Sequence, residues 1–306
     1  METDNVSQKF NVFSYNISNK IVDILLKDRT VNRNIVWATD NYIELGNDYY
    51  PEKEILLSHN DKIIPRVNKE HIRQQERIKE KAEVFTPSWM CNEQNNLIDN
   101  SWFNRENVFN TSSGKQWTST VDKISFDGAP TWQEYVGANR LEITCGEAPY
   151  LVSRYDTVTG EYIPIQERIG FLDRKLRIVN ENTQTESEWV EWAVIAIQSI
   201  YGFELQGDNL LLARKNVFLT FIEYFEDRFL HRPNESIQEY IAEIISWNIW
   251  QMDGMDYTVP FYKELAKEQQ LNLLEPSKDV YVSKYCNIMD WQENKVFEFR
   301  DMIEGS

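Results

Sequence analysis

The chain has 306 residues, of which 42% are hydrophobic, so it can bury a substantial core within one large or two modest domains. Its formal net charge of -17 excludes a protein that wraps nucleic acid by itself, because phosphate neutralisation by Lys and Arg normally supplies most of the non-specific affinity. It contains no apolar stretch long enough to cross a membrane and no secretory signal pattern at its N-terminus, which together predict a cytoplasmic protein.

The cysteines are Cys91, Cys145 and Cys286, an odd number at wide spacing. None has a neighbouring Cys or His at the spacing of metal ligands. We therefore expect reduced thiols, with neither a disulfide framework nor a metal site.

The N-terminal part of the chain carries few structural signals. Residues 1–80 are polar and show no chemical signature, and we interpret them as an N-terminal helical or mixed extension. Residues 100–140 are rich in Trp, Ser, Thr, Asn and Gly, as in SSGKQWTST, which predicts a hairpin or a long loop before a core strand.

From Arg140 onward, strand signals alternate with helix signals. RLEIT at 140–144 is a strand candidate. EWVEWAVIAIQSI at 188–200 has apolar residues at helical spacing and stops before Gly202, as a helix would. The short run 201–205 is a second strand candidate.

Two further helices are predicted beyond this strand. Asp208 is expected to cap DNLLLARKNVFLTFIEYFEDRF, in which apolar residues recur at helical spacing, and residues 236–247 repeat the pattern. Strands that alternate with helices predict an α/β domain with a largely parallel sheet. Near the end of the chain, CNIMDW and KVFEFRDMI flank QENK and predict a β-hairpin.

The segment LEITCGEAPYL at 141–151 is the most informative for function. A strand followed by a tight Cys145-Gly146 turn lets the backbone approach a ligand at the carboxyl edge of a parallel sheet, where α/β sheets bind nucleotides. The alternative interpretation is a structural turn that needs a positive φ angle at the glycine.

Two motifs around this segment resemble those of adenine-N6 DNA methyltransferases and type I modification subunits. KAEVFTPSWMCNEQNNLID at 81–99 is similar to the motif that opens these enzymes. The resemblance implies that its aromatic-Thr-Pro triplet, Phe85, Thr86 and Pro87, lies beside the methionine part of S-adenosylmethionine.

LEITCGEAPYL in turn resembles the cofactor loop of the same family. The matching residues are Cys145, Gly146, Tyr150 and Leu151, with Glu142 in the leading acidic position. By resemblance, Glu142, Cys145 and Gly146 belong to the cofactor-binding set.

Two later segments follow in the family's order. YGFELQGDNLLLAR at 201–214 is similar to its strand, carboxylate and Ala-Arg helix, which implies that Glu204 accepts hydrogen bonds from both ribose hydroxyls of the cofactor. NIWQMDGM at 248–255 resembles the next strand, so that Asp253 would face the adenine amino group.

These matches lie within residues 80–260 and imply a Rossmann-like class I methyltransferase domain over residues 81–306, after the extension 1–80. The implied cofactor is S-adenosylmethionine and the implied partner is DNA, bound with help from a specificity or other subunit. Neither a membrane nor a metal is implied.

The family's catalytic tetrapeptide, Asn/Asp-Pro-Pro-Tyr/Phe, has no full equivalent here. The nearest segment is TVPF, in which only Pro260 and Phe261 match and Thr258 replaces the amide or acid. We therefore assign no catalytic residue. The 45 residues after TVPF are too few for the remaining strands and a target-recognition domain.

Three functions are consistent with the sequence. The first is methyl transfer from S-adenosylmethionine to adenine N6 in DNA, within a restriction-modification system. The second is a catalytically inactive relative that acts as a binding or regulatory subunit. The third, motivated by the net charge of -17, is an acidic interaction protein that mimics DNA.

Overall fold

The computed structural model describes residues 16–69, 86–127, 130–265 and 281–304, and the fold in these ranges is mixed α/β. The helices are α1 (Asn19–Leu25), α2 (Ser88–Phe103), α3 (Trp132–Gly137), α4 (Phe171–Asn182), α5 (Glu186–Gln198), α6 (Gly207–Phe229), α7 (Glu235–Asn248) and α8 (Phe299–Glu304). The strands are β1 (Lys27–Asp28), β2 (Arg33–Asn34), β3 (Asn110–Ser113), β4 (Gln116–Ser119), β5 (Arg140–Glu142), β6 (Ile200–Glu204), β7 (Ile249–Gln251), β8 (Thr258–Leu265), β9 (Tyr281–Tyr285), β10 (Asn287–Asp290) and β11 (Lys295–Glu298).

The centre of the fold is a three-stranded sheet in the order β5-β6-β7. Both pairs are parallel, with Arg140 opposite Ile200 and Gly202 opposite Ile249. Parallel neighbours need a crossover connection, and α4 and α5 provide the first while α6 and α7 provide the second. The prediction of a parallel sheet from alternating strands and helices is confirmed for these strands.

The two faces of this sheet are buried by different parts of the chain. Side chains of successive strand residues point to opposite faces, so Ile200 and Ile249 join the main core with the helices. Phe203 and Trp250 point the other way, into a smaller core formed with the C-terminal segment.

Helix α6 is the longest helix in the described ranges, and the sequence prediction of its N-cap residue was wrong. Gln206, and not Asp208, is the N-cap residue. The Asp208 carboxylate is buried instead, where it accepts hydrogen bonds from Tyr42 Oη at 2.9 Å and Lys69 Nζ at 3.1 Å. Gly207 is required here, because a Cβ atom at this position would lie 2.1 Å from the Val36 carbonyl oxygen.

The described part of the N-terminal extension packs into the same main core. Ile21, Leu25 and Trp37 are fully buried there together with residues of α6 and α7. The segment also contacts the end of β7, because the Gln251 side chain accepts from Val36 N–H at 2.8 Å and donates to the Val36 carbonyl at 2.7 Å. Residues 16–69 are therefore integral to the packing of the sheet.

The predicted helices at 188–200 and 236–247 are confirmed as α5 and α7, with small differences at their ends. The region 100–140 contains the hairpin β3–β4, but it also contains the end of α2 and the whole of α3. The C-terminal hairpin is confirmed as β10–β11 and continues into α8. None of the helices in the described ranges is both long enough and apolar enough to cross a membrane.

Candidate cofactor site at the carboxyl edge of the parallel sheet

Each strand of the central sheet ends in a polar side chain. Glu142 ends β5, Glu204 ends β6 and Gln251 ends β7, and all three are buried. Glu204 and Gln251 lie on the face that carries Ile200 and Ile249, because an even number of positions separates them from those residues on the same strands. Glu142 lies on the same face because it pairs with Gly202. The carboxyl edge therefore brings two acidic groups and an amide close together.

The turn after β5 is strained. Thr144, Gly146 and Ala148 have φ angles of 49°, 54° and 65°, so left-handed residues alternate with others along the turn. Such a conformation costs a non-glycine residue about 1–2 kcal/mol, and a β-branched residue such as Thr144 adopts it rarely. Strain of this kind is concentrated at functional sites and switch regions.

Glu204 contacts this turn directly. Its Oε2 accepts a hydrogen bond from Gly146 N–H at 2.9 Å. Its Oε1 accepts from the backbone N–H groups of Leu205 and Gln206, each at 3.0 Å. The structure thus brings the two residues together, and it does so by contact of the carboxylate with the glycine amide.

Glu142 is held by backbone amides on the other side of the turn. Its carboxylate oxygens accept from Tyr150 N–H at 3.4 Å and from Leu151 N–H at 3.1 Å. Burial, with the nearby Glu204 carboxylate as a further cause, raises the pKa of Glu142 to about 8 despite these hydrogen bonds. Glu142 therefore carries a proton near neutral pH and would ionise readily beside a cation.

Cys145 lies beneath the turn and packs against the sheet. Its backbone N–H donates to the Phe203 carbonyl at 2.9 Å. A Cβ atom at Gly202 would lie 3.3 Å from Cys145 Sγ, so a glycine on β6 makes room for the thiol. Burial raises the pKa of Cys145 well above its ordinary value, which favours a packing role over contact with a ligand.

The aromatic-Thr-Pro triplet is described in part, because Phe85 lies outside the described residues. Pro87 is the N-cap residue of α2, and Ser88 N–H donates to Asp156 Oδ2 at 2.6 Å. The Thr86 carbonyl accepts a hydrogen bond from Thr157 Oγ1 at 3.2 Å. Thr86 and Pro87 are therefore anchored to the loop that follows the Gly146 turn.

Asp253 lies just beyond the end of β7, in a turn of its own. Its Oδ1 accepts from Met255 N–H at 2.9 Å, and its backbone N–H donates to the Thr258 carbonyl at the same distance. The turn adjoins Glu204, because Met252 N–H donates to the Glu204 carbonyl at 3.2 Å. Asp253 is thus at the predicted edge, but its carboxylate supports the local backbone.

The TVPF segment begins β8, which pairs antiparallel with β9. The carbonyl of Pro260 accepts a hydrogen bond from Arg33 Nη2 at 2.7 Å. Phe261 is exposed, with a φ angle of 55°. The backbone of this segment is therefore held by an arginine from the N-terminal part of the chain.

Sequence reasoning missed two buried polar residues that shape this edge. Gln251 bonds Val36 and also donates to the Leu205 carbonyl at 2.7 Å, which fixes the end of β7 beside that of β6. Arg214 is fully buried and donates to backbone carbonyls that include Ile249 O at 2.7 Å. Gln251 could have been identified from the sequence, because a Gln at the end of an apolar strand needs hydrogen-bond partners.

In the described ranges, no three His, Cys, Asp or Glu side chains are arranged to hold a metal ion. Comparisons with protein-family models, with curated proteins and with solved structures found no match to this chain.

Proposed function

We propose that this chain is the S-adenosylmethionine-binding part of a DNA adenine-N6 methylating assembly of the restriction-modification type, built on a Rossmann-like class I methyltransferase sheet. The observation that carries the proposal is the 2.9 Å hydrogen bond between Gly146 N–H and Glu204 Oε2. It joins the turn after one parallel strand to the carboxylate at the end of the next. Open parallel sheets bind nucleotides at such carboxyl ends.

The donor and acceptor chemistry of this edge fits an adenosyl ligand. A carboxylate can accept hydrogen bonds from both hydroxyls of a ribose. The Gly146 amide contacts Oε2 of Glu204, and we expect a ribose hydroxyl to take the place of that amide when the ligand binds. The left-handed residues Thr144 and Ala148 store strain in the turn, and this strain makes its displacement less costly.

The charges of the edge favour a cationic ligand. S-adenosylmethionine, when bound, supplies a methyl group on a positively charged sulfonium centre. Glu142 and Glu204 place two carboxyl groups near the turn, and a nearby cation favours the ionised form of each. By the resemblance, Thr86, which is anchored to the loop that follows the turn, would contact the methionine part of the ligand.

Methyl transfer needs groups that orient the target amine, and TVPF matches the tetrapeptide that supplies them in the resembled family only in part. The Pro260 carbonyl is bonded to Arg33, and Thr258 replaces the amide or acid of the tetrapeptide. This supports a chain that binds the cofactor and relies on a second polypeptide to recognise DNA and complete the catalytic groups.

Isothermal titration with S-adenosylmethionine and S-adenosylhomocysteine tests the proposal. We expect saturable binding of both, and at least about tenfold weaker binding by Glu204→Gln, which corresponds to about 1.4 kcal/mol. Glu191→Gln, an exposed substitution on α5, removes the same charge and should bind as the wild type does. Thermal unfolding of each variant confirms that it is folded.

Two results would contradict this proposal. If the wild-type chain binds neither ligand at millimolar concentration, the cofactor site is wrong. If the purified chain alone transfers methyl groups from S-adenosylmethionine to duplex DNA, the requirement for a second polypeptide is wrong.

A further inference from the structure

An apolar cavity of 490 Å³ lies on the face of the parallel sheet that is turned away from the main core. The sheet and the C-terminal hairpin line it together, with Leu141, Tyr201, Trp250, Ile288, Trp291 and Phe297 among its walls. The cavity reaches the surface at β5, where Leu141 is 47% exposed and the following Ile143 is 65% exposed. Leu141, Ile143 and the cavity together form the β5 surface.

The hydrogen-bonding edge of β5 is open in the described part of the chain. Arg140 N–H donates to the Ser199 carbonyl at 2.9 Å, so the alternation along a strand directs the backbone groups of Leu141 away from β6. Ile143 lies in the turn that follows, where its carbonyl accepts a hydrogen bond from Thr144 Oγ1 at 2.7 Å. At the opposite edge of the sheet, the carbonyls of β7 are occupied, because Ile249 O accepts from Arg214 Nε at 2.7 Å and Gln251 O accepts from Cys286 Sγ at 3.3 Å. The sheet is therefore closed on the β7 side and open on the β5 side.

An open edge with apolar side chains is unusual for a strand that has no partner. Folded proteins normally protect such edges with charged residues, proline or a covering element. Here Leu141 is exposed at the edge and lines an aromatic cavity, and Ile143 is exposed in the turn directly after the strand. Contiguous exposed apolar surface of this kind marks a site of protein interaction.

The charge around the β5 surface indicates what kind of partner it fits. The segment 287–304 carries five acidic residues against two basic ones, and the whole chain has a net charge of -17. At the cavity itself, Asp290 and Arg140 supply one charge of each sign, so the acidic excess comes from the C-terminal segment. A second copy of this chain would bring like charge to the interface, whereas a basic polypeptide would be attracted to it.

We propose that the β5 surface binds a basic partner polypeptide, which adds a strand beside β5 and places apolar side chains in the cavity. Strand addition satisfies the outward backbone groups, while the cavity gives specificity for alternate side chains. The inference rests on the proposed function, because the partner that binds here would be the second polypeptide of the methylating assembly. β5 runs directly into the Gly146 turn, so the partner would lie beside the cofactor site.

The test uses the full chain and two synthetic peptides of equal length, one alternating Ile with Lys and the other alternating Ile with Glu. Binding is followed by fluorescence anisotropy of the labelled peptides. We expect the Lys peptide to bind at least about tenfold more tightly than the Glu peptide. The double variant Leu141→Asn with Ile143→Asn should weaken this binding at least about tenfold. Val121→Asn, at an apolar residue that is 96% exposed elsewhere, is the matched control and should change nothing.

Hydrogen exchange on the wild-type chain gives an answer that does not depend on how any variant folds. The Lys peptide should slow amide exchange in residues 140–144. Unchanged exchange there, equal binding of the two peptides, or full binding by the double variant would overturn the proposal. Sedimentation velocity completes the test, because a wild-type dimer that the double variant dissociates would make a second copy the occupant. Cofactor titrations read a different site, so failure here leaves the cofactor proposal standing.

Discussion

The raised pKa of Glu142 makes the stability of the fold depend on pH. Burial raises its pKa to about 8 from an ordinary value of 4.5, so the folded state keeps a proton that the unfolded chain has lost at intermediate pH. Unfolding then releases this proton. Raising the pH between these two values therefore lowers the free energy of unfolding, and the loss levels off above the folded-state pKa.

We predict that Glu142→Gln removes this pH dependence. Between about pH 6 and about pH 8, the wild type should lose roughly 1–3 kcal/mol of stability relative to the variant, since each pKa unit corresponds to about 1.4 kcal/mol. Asp173, whose pKa burial raises to about 6, contributes with the same sign but at lower pH, and it is common to both proteins. Urea unfolding at a series of pH values provides the measurement.

Glu191→Gln on the exposed face of α5 serves as the control and should follow the wild type. Parallel pH profiles for wild type and Glu142→Gln would mean that Glu142 is ionised in the folded protein. The proposal that Glu142 loses its proton when a cationic ligand binds would then be wrong.

At the scale of elements, helix α6 is joined to the loop after the Gly146 turn by buried ion pairs. Glu223 lies 2.6 Å from Arg154 Nη2 and 2.6 Å from Arg168 Nη2, and all three side chains are buried. Burial opposes ionisation of Glu223, but the two guanidinium groups hold its pKa below the ordinary value. The network fixes the loop after the Gly146 turn onto helix α6.

We predict that Glu223→Ala destabilises the protein by about 3–5 kcal/mol, because removal of one partner leaves buried positive charge uncompensated. Asp227→Ala, an exposed substitution on the same helix, should change stability by less than about 0.5 kcal/mol. Chemical denaturation of the three proteins measures both effects. A loss below about 1 kcal/mol for Glu223→Ala would mean that water or neighbouring groups compensate the arginines.

The elements that sequence reasoning identified are those with apolar periodicity, such as α5 and α7. Helix α4 was not predicted, because Asp173, Arg174 and Lys175 occupy buried positions on it and interrupt the apolar pattern. Their burial depends on distant partners, for example Asp99 for Arg174. Periodicity in one segment cannot reveal such partners.

The part of the candidate site that lies at the ends of predicted strands could be predicted from the sequence. Gly146 follows one predicted strand and Glu204 lies near the end of the next, and adjacency of those strands was enough to bring the two residues together. The bond between Arg33 and the Pro260 carbonyl was not predictable, since it joins residues far apart in the chain. The cap assigned to Asp208 was wrong for the same reason, because its partners Tyr42 and Lys69 come from the N-terminal extension.

For the whole molecule, the net charge of -17 disfavours DNA binding by this chain alone, whereas it does not oppose binding of a small cationic cofactor. We predict that the chain alone binds a duplex oligonucleotide with a Kd weaker than about 100 µM at about 0.15 M salt, because a strongly acidic surface releases few counterions from DNA. Fluorescence anisotropy of a labelled duplex tests this. Binding near about 1 µM that weakens steeply with salt would contradict the division of labour between this chain and its partner.

The most direct test of the account is a crystal structure of the chain with S-adenosylhomocysteine. We predict a ribose hydroxyl within about 3 Å of the Glu204 carboxylate, with the Gly146 amide displaced from Oε2. A ligand bound elsewhere, or a ribose remote from Glu204 with the Gly146 hydrogen bond intact, would contradict it.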